Sequence, residues 1–240
     1  MYSITSPTIG EMVVADYRKA EVFRKFGIDY CCGGKKSLET VCRNKSIDPA
    51  AVQKELDQLD IFPLVDLSIV ETLELDQLVD YIVQKHHAYV LNSLPILYEL
   101  TTKVARVHGE QHPELLKIAA LFNTLAEALQ LHMHKEEKVL FPFIKQMALA
   151  ARNNTQIPEP FFMTVNNPIR MMEAEHDSAG ENMEAIRNLT ANYTPPEEAC
   201  TSYRVLFANL EAFESDLHRH VHLENNLLFP NAIQMEQTYR

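Results

Sequence analysis

The sequence predicts an all-α protein, an antiparallel four-helix bundle preceded by a small helical unit. The 240 residues are 46% hydrophobic and include only 6 glycines and no tryptophan, and the abundance of Leu, Ala, Glu and Met tilts the composition toward helix. From about residue 74 onward, apolar residues recur at three- and four-residue spacing. Finally, "LHMHKEEKVLFP" at 131–142 returns 88 residues later as "RHVHLENNLLFP", as a duplicated helical hairpin would require.

Residues 1–60 read as the small helical unit. Thr8 and Glu11 are spaced as a capping box ahead of "MVVADYRKAEVFRKFGI", Gly33-Gly34 breaks the chain, and Asp48-Pro49 is a cap followed by proline at the first helical position. Residues 61–73 are expected to be a linker, with "DIFPLVDLS" as its connector. The bundle is expected over 74–240. Its first helix carries the stripe Leu75, Leu78, Val79, Ile82, Val83 and His86, with a kink expected at Pro95 and an end at Gly109. Pro113 suits the start of the second helix. A polar, proline-containing stretch separates it from the third, "IRMMEAEHDSAGENMEAIRNL", and Thr194-Pro195-Pro196-Glu197 reads as the opening of the fourth.

A formal net charge of −11 argues against nucleic acid, which requires clustered Lys and Arg. No apolar run is long enough for a membrane span, and "MYSITSPTIGEMVV" lacks the pattern of a signal peptide, so a cytoplasmic location is expected. Four cysteines in a chain of this length read as free thiols rather than a disulfide framework.

The repeat places chemistry on the inner faces. Aligning the second helix on the fourth pairs His132 with His220 and Glu136 with Glu224. Setting the first on the third pairs "QKHH" with "EAEH" and is read as matching His86 to His176. A histidine and a glutamate four apart share one helix face, and a buried glutamate is costly unless a cation satisfies it. His86, His132, Glu136, His176, His220 and Glu224 are therefore expected to hold two metal ions, two histidines to each, with both glutamates and an oxo or hydroxo group bridging. Imidazole with carboxylate admits zinc, manganese or iron, and bridging carboxylates in a bundle favour iron. His134 and His222 are expected to be solvated, two residues from a ligand. Glu137 is also expected to face solvent, and Glu175 and Asp216, each close in sequence to a proposed ligand, to occupy the surface or else to serve as outer partners of the ligands or as proton relays. His87, His108, His112 and His218 have no comparable positional case. In "DYCCGGKK", Cys31 and Cys32 lie beside Lys35 and Lys36, and a vicinal thiol pair suits soft-metal binding or disulfide exchange. Cys42 and Cys200 read as packing residues.

Together, "FRKFGIDYCCGGKKSLE", "HMHKEEKVLFP", "EAEHDSAGE", "TPPEEACTSY" and "HVHLENNLLFP" resemble the iron-sulfur cluster repair di-iron proteins, or repair of iron centres family, over nearly the whole chain. The resemblance implies a hemerythrin-like domain with iron on the six residues above. It also implies a cytoplasmic homodimer acting on damaged iron-sulfur proteins after nitrosative and oxidative stress, by donating iron. The alternatives are a nitric oxide reductase at an open di-iron position and an NO or O2 binder of the sensor or carrier kind.

Overall fold

The computed structural model describes residues 7–16, 18–59 and 72–239. The expected linker, 61–73, falls almost entirely outside these residues. Four short helices come first: α1 (Ile9–Ala15), α2 (Lys19–Lys25), α3 (Leu38–Lys45) and α4 (Pro49–Leu59). The Thr8–Glu11 capping box is formed, with the Thr8 N–H donating to Glu11 Oε2 at 2.7 Å and the Glu11 N–H to Thr8 Oγ1 at 3.2 Å. Asp48 accepts from the Ala50 N–H at 3.0 Å and opens α4.

Four long helices follow: α5 (75–108), α6 (114–152), α7 (Asn166–Leu189) and α8 (201–239). Each packs along its neighbours in the ring α5–α6–α7–α8. No described helix is long and apolar enough to cross a membrane. α5 ends at Gly109 as expected, but Pro95 sits within continuous α-helix from Ala88 to His108. The departure from α geometry lies upstream, at the π-helical segment Ile82–His87. α8 begins at Thr201, later than Thr194-Pro195-Pro196-Glu197 suggests. Ala191, Asn192 and Tyr193 all have positive φ, and the Arg204 guanidinium holds the ensuing turn by donating to the carbonyls of Pro196, Glu197 and Ala199.

Two further π segments interrupt α6 at Glu136–Leu140 and α8 at Glu224–Leu228. The glutamate carbonyls accept from N–H groups five residues on, those of Phe141 and Phe229. Pro142 and Pro230 account for this widening, because each lacks the N–H that an α-helix requires and its ring crowds the carbonyl four residues back. No proline explains the segment in α5.

The apolar core is split by a polar layer. One block contains Val90, Leu97, Phe122, Leu129, Phe207 and Phe213, and it is continuous with Ile9, Val13 and Phe23 of the N-terminal helices. The other contains Leu75, Ile82, Leu140, Ile144, Met172 and Leu228. His86, His87, His132, Glu136, His176, His220 and Glu224 lie where the two blocks meet along each helix, and all are at most 2% exposed.

Candidate metal centre

The buried ionisable residues form two donor groups. Atoms of His87, Glu136, His220 and Glu224 lie within 4.8 Å of one another, as do atoms of His132, Glu136, His176 and Glu224. Glu136 and Glu224 belong to both. Glu136 Oε2 is 3.3 Å from His132 Nε2 and 3.4 Å from His87 Nε2. Glu224 reaches His220 Nε2 at 3.0 Å through Oε1 and His176 Nε2 at 3.1 Å through Oε2.

The structure brings together five of the six residues expected from the sequence and puts His87, not His86, in the remaining place. A π turn inserts one extra residue, so the inward stripe that reaches Ile82 continues to position 87 instead of 86. His86 is equally buried, but its Nδ1 meets Asp216 Oδ1 at 2.9 Å and its ring stacks beside that of His220. A signal for His87 was present in the sequence: aligned end to end, "QKHH" and "EAEH" place His87, not His86, on His176.

Outer contacts orient three of the four imidazoles. His87 Nδ1 meets Glu137 Oε1 at 2.8 Å, His132 Nδ1 meets Glu175 Oε2 at 2.8 Å, and His176 Nδ1 meets Asn225 Oδ1 at 2.9 Å. An acceptor at Nδ1 puts the ring proton there and leaves Nε2 with a lone pair facing inward. Glu137 therefore does not simply face solvent, nor is Glu175 merely a surface residue. Glu175 also pairs with Lys135.

These contacts also test whether a cation suits the layer. His132 Nε2 and His176 Nε2 are 2.9 Å apart, so a proton or a metal ion must lie between the two lone pairs. Both oxygens of Glu136, Oε2 of Glu224 and Nε2 of His87 are buried with no hydrogen-bond partner among the described residues. Such atoms are costly to bury, and coordination satisfies all of them. The donor set fits metal binding.

Burial opposes charge on His87, but Glu136 and Glu224 outweigh it and push its pKa up to about 10. His132, buried but facing Glu136, is pushed up to about 9. For Glu224, burial is outweighed by His220 and His176, which hold its carboxyl well below the usual range. A bound cation must displace the protons on His87 and His132. Metal uptake at neutral pH is therefore expected to release protons and to weaken as pH falls, as stopped-flow loading with a pH dye would measure; uptake independent of pH would contradict this.

The other histidines divide. His134 is exposed, as expected. His222 is not solvated: it turns away from the bundle interior as its spacing requires, but the N-terminal unit covers it. The Tyr30 ring lies edge-on at 5.7 Å, and burial lowers the His222 pKa to about 4.

Two family models match the chain. A domain of unknown function, DUF542, matches residues 5–60, and the hemerythrin HHE cation binding domain matches residues 78–232. Three similar chains are each called iron-sulfur cluster repair protein YtfE. The one from Musicola paradisiaca is 36% identical, and the one from Enterobacter sp. (strain 638) 38%; each alignment covers 95% of this chain and 97% of the relative. That from Citrobacter koseri is 37% identical over 98% of this chain and 100% of its own length.

Proposed function

Because the chain belongs to the iron-sulfur cluster repair family, with a DUF542 segment ahead of a hemerythrin HHE domain, we propose that it repairs iron-sulfur clusters damaged by nitrosative and oxidative stress by donating iron from the bundle. The sharing of Glu136 and Glu224 by the two donor groups carries this reading. In it, His87 and His220 would hold one iron and His132 and His176 the other, with Glu136 and Glu224 available to both. The bound iron would supply a releasable ferrous ion and open positions for a small ligand.

The residues present favour release over tight retention. Carboxylate-rich bundle sites use four glutamates and two histidines, whereas this layer inverts the ratio. Fewer anionic donors favour the ferrous state and weaken the hold on the metal. Glu137, Glu175 and Asn225 keep the imidazoles aimed while the metal exchanges. Damaged iron-sulfur proteins are the clients, and the cytoplasmic location and homodimer implied by the resemblance belong to the same proposal.

One observation favours reduction of nitric oxide as a second reading. A cleft of about 240 Å³, bordered by Leu125, Leu129 and Ala179 as well as Lys135, Glu175 and Asn182, reaches His132 and His176, and its apolar part suits a small neutral gas. One experiment separates the readings: supply iron-loaded protein to an apo-cluster enzyme, with and without nitric oxide, and follow iron, enzyme activity and nitrous oxide. Donation predicts recovery of activity as iron leaves the protein. Nitrous oxide formation with iron retained and no recovery would favour the second reading.

A further inference from the structure

A separate set of donors lies outside the bundle centre. Asp29, Cys31 and Cys32 follow α2, and their donor atoms lie within 4.8 Å of one another. Cys31 Sγ is 3.8 Å from Cys32 Sγ and 3.1 Å from Asp29 Oδ1, and both thiols are free. The loop holding them is tightly determined. Asp29 Oδ1 accepts from the N–H groups of Cys31 and Cys32 at 3.0 Å each, and Oδ2 accepts from that of Gly33 at 2.8 Å. A Cβ on Gly34 would come within 2.5 Å of the Tyr30 carbonyl oxygen and 3.0 Å of Asn226 Oδ1, so only glycine fits there.

This loop is fastened to the helices that carry the metal centre. Asn226, two residues after Glu224, donates through Nδ2 to the carbonyls of Tyr30 at 3.5 Å and Cys31 at 3.4 Å. Lys35 pairs with Glu173 on α7 at 2.7 Å. Cys32 Sγ lies against α7, 3.7 Å from where a Cβ on Gly180 would stand, one turn beyond His176. The thiols, Asp29 and His218 line one cleft of about 490 Å³. His218 Nδ1 is buried there with no hydrogen-bond partner among the described residues.

The chemistry disfavours a free nucleophile. The hydrogen bond with Cys32 and burial push the Cys31 thiol well above its ordinary pKa, and Asp29 adds to the effect. A reactive cysteine needs the opposite shift. A cation reverses the balance, since it replaces thiol protons and is attracted by the same carboxylate that opposes a bare thiolate. Thiolates with carboxylate or imidazole suit thiophilic divalent ions.

We propose that Asp29, Cys31 and Cys32 form a second site, distinct from the bundle centre, that binds a thiophilic divalent cation. Binding forms two metal–sulfur bonds and one metal–oxygen bond and releases the two thiol protons to water, with no electron transferred. That the cation in use is ferrous iron, in transit to or from the bundle, rests on the repair function proposed above; the existence of the site does not.

The test is titration of iron-loaded, full-length protein with cobalt(II), the bundle donors being already filled. Wild-type protein is expected to take up a single equivalent with a sulfur-to-cobalt charge-transfer absorption. Cys31→Ser/Cys32→Ser abolishes it with bundle iron unchanged, whereas Cys42→Ser/Cys200→Ser retains it. Cys32 is only partly buried, so if the double variant does not fold, Cys32→Ser alone is used, and losing one of the two sulfur donors is expected to weaken both the band and cobalt affinity. Absence of the band in wild type, or a band of undiminished intensity and affinity in Cys32→Ser, overturns the site. Failure of iron donation with the cobalt band intact overturns the repair reading instead.

Discussion

Glu136→Ala and Glu224→Ala are each expected to empty both metal positions, lowering total iron at a fixed free concentration by about tenfold or more. Each carboxylate belongs to both donor groups, so its removal deprives two ions of a ligand at once. It also leaves imidazole pairs with little anionic charge between them. Iron analysis of reconstituted protein reads the result. Loss of half the iron would mean terminal ligation by the carboxylate removed.

His87→Ala is expected to lower iron content about tenfold, while His86→Ala leaves it near wild type, because only His87 joins a donor group. His86 instead meets Asp216 through Nδ1. Glu137→Ala is expected to weaken iron affinity about 10–100-fold by releasing the His87 ring from its 2.8 Å contact. Competition against a chelator measures all three variants. Equal sensitivity of His86 and His87 would show that α5 does not keep the phase set by its π segment.

The contrast between these histidines shows what the sequence made legible. Helical spacing identified the stripe through Ile82 and put His132 with Glu136, and His220 with Glu224, on inward faces, since each pair spans one turn. It failed at His87, because an added residue in a π turn shifts the phase of everything beyond it and no proline marks the one in α5. His222 illustrates a second limit. Its turn away from the bundle interior follows from the helical period, but its cover comes from Tyr30, nearly two hundred residues earlier, and a local pattern carries no information about such packing. The period of α6 alone turns Glu137 outward, whereas its partner His87 stands on α5. The fold and the HxxxE pairs are local properties of helices; the outer partners of the histidines are products of packing.

A pair of irons sharing two carboxylates has a distinct crystallographic signature. Anomalous diffraction at the iron edge from crystals of reconstituted protein tests it most directly. Two iron peaks are expected, one beside His87 and His220 and the other beside His132 and His176, with Glu136 and Glu224 between them. A single peak, or a peak ligated by His86 in place of His87, would contradict this arrangement.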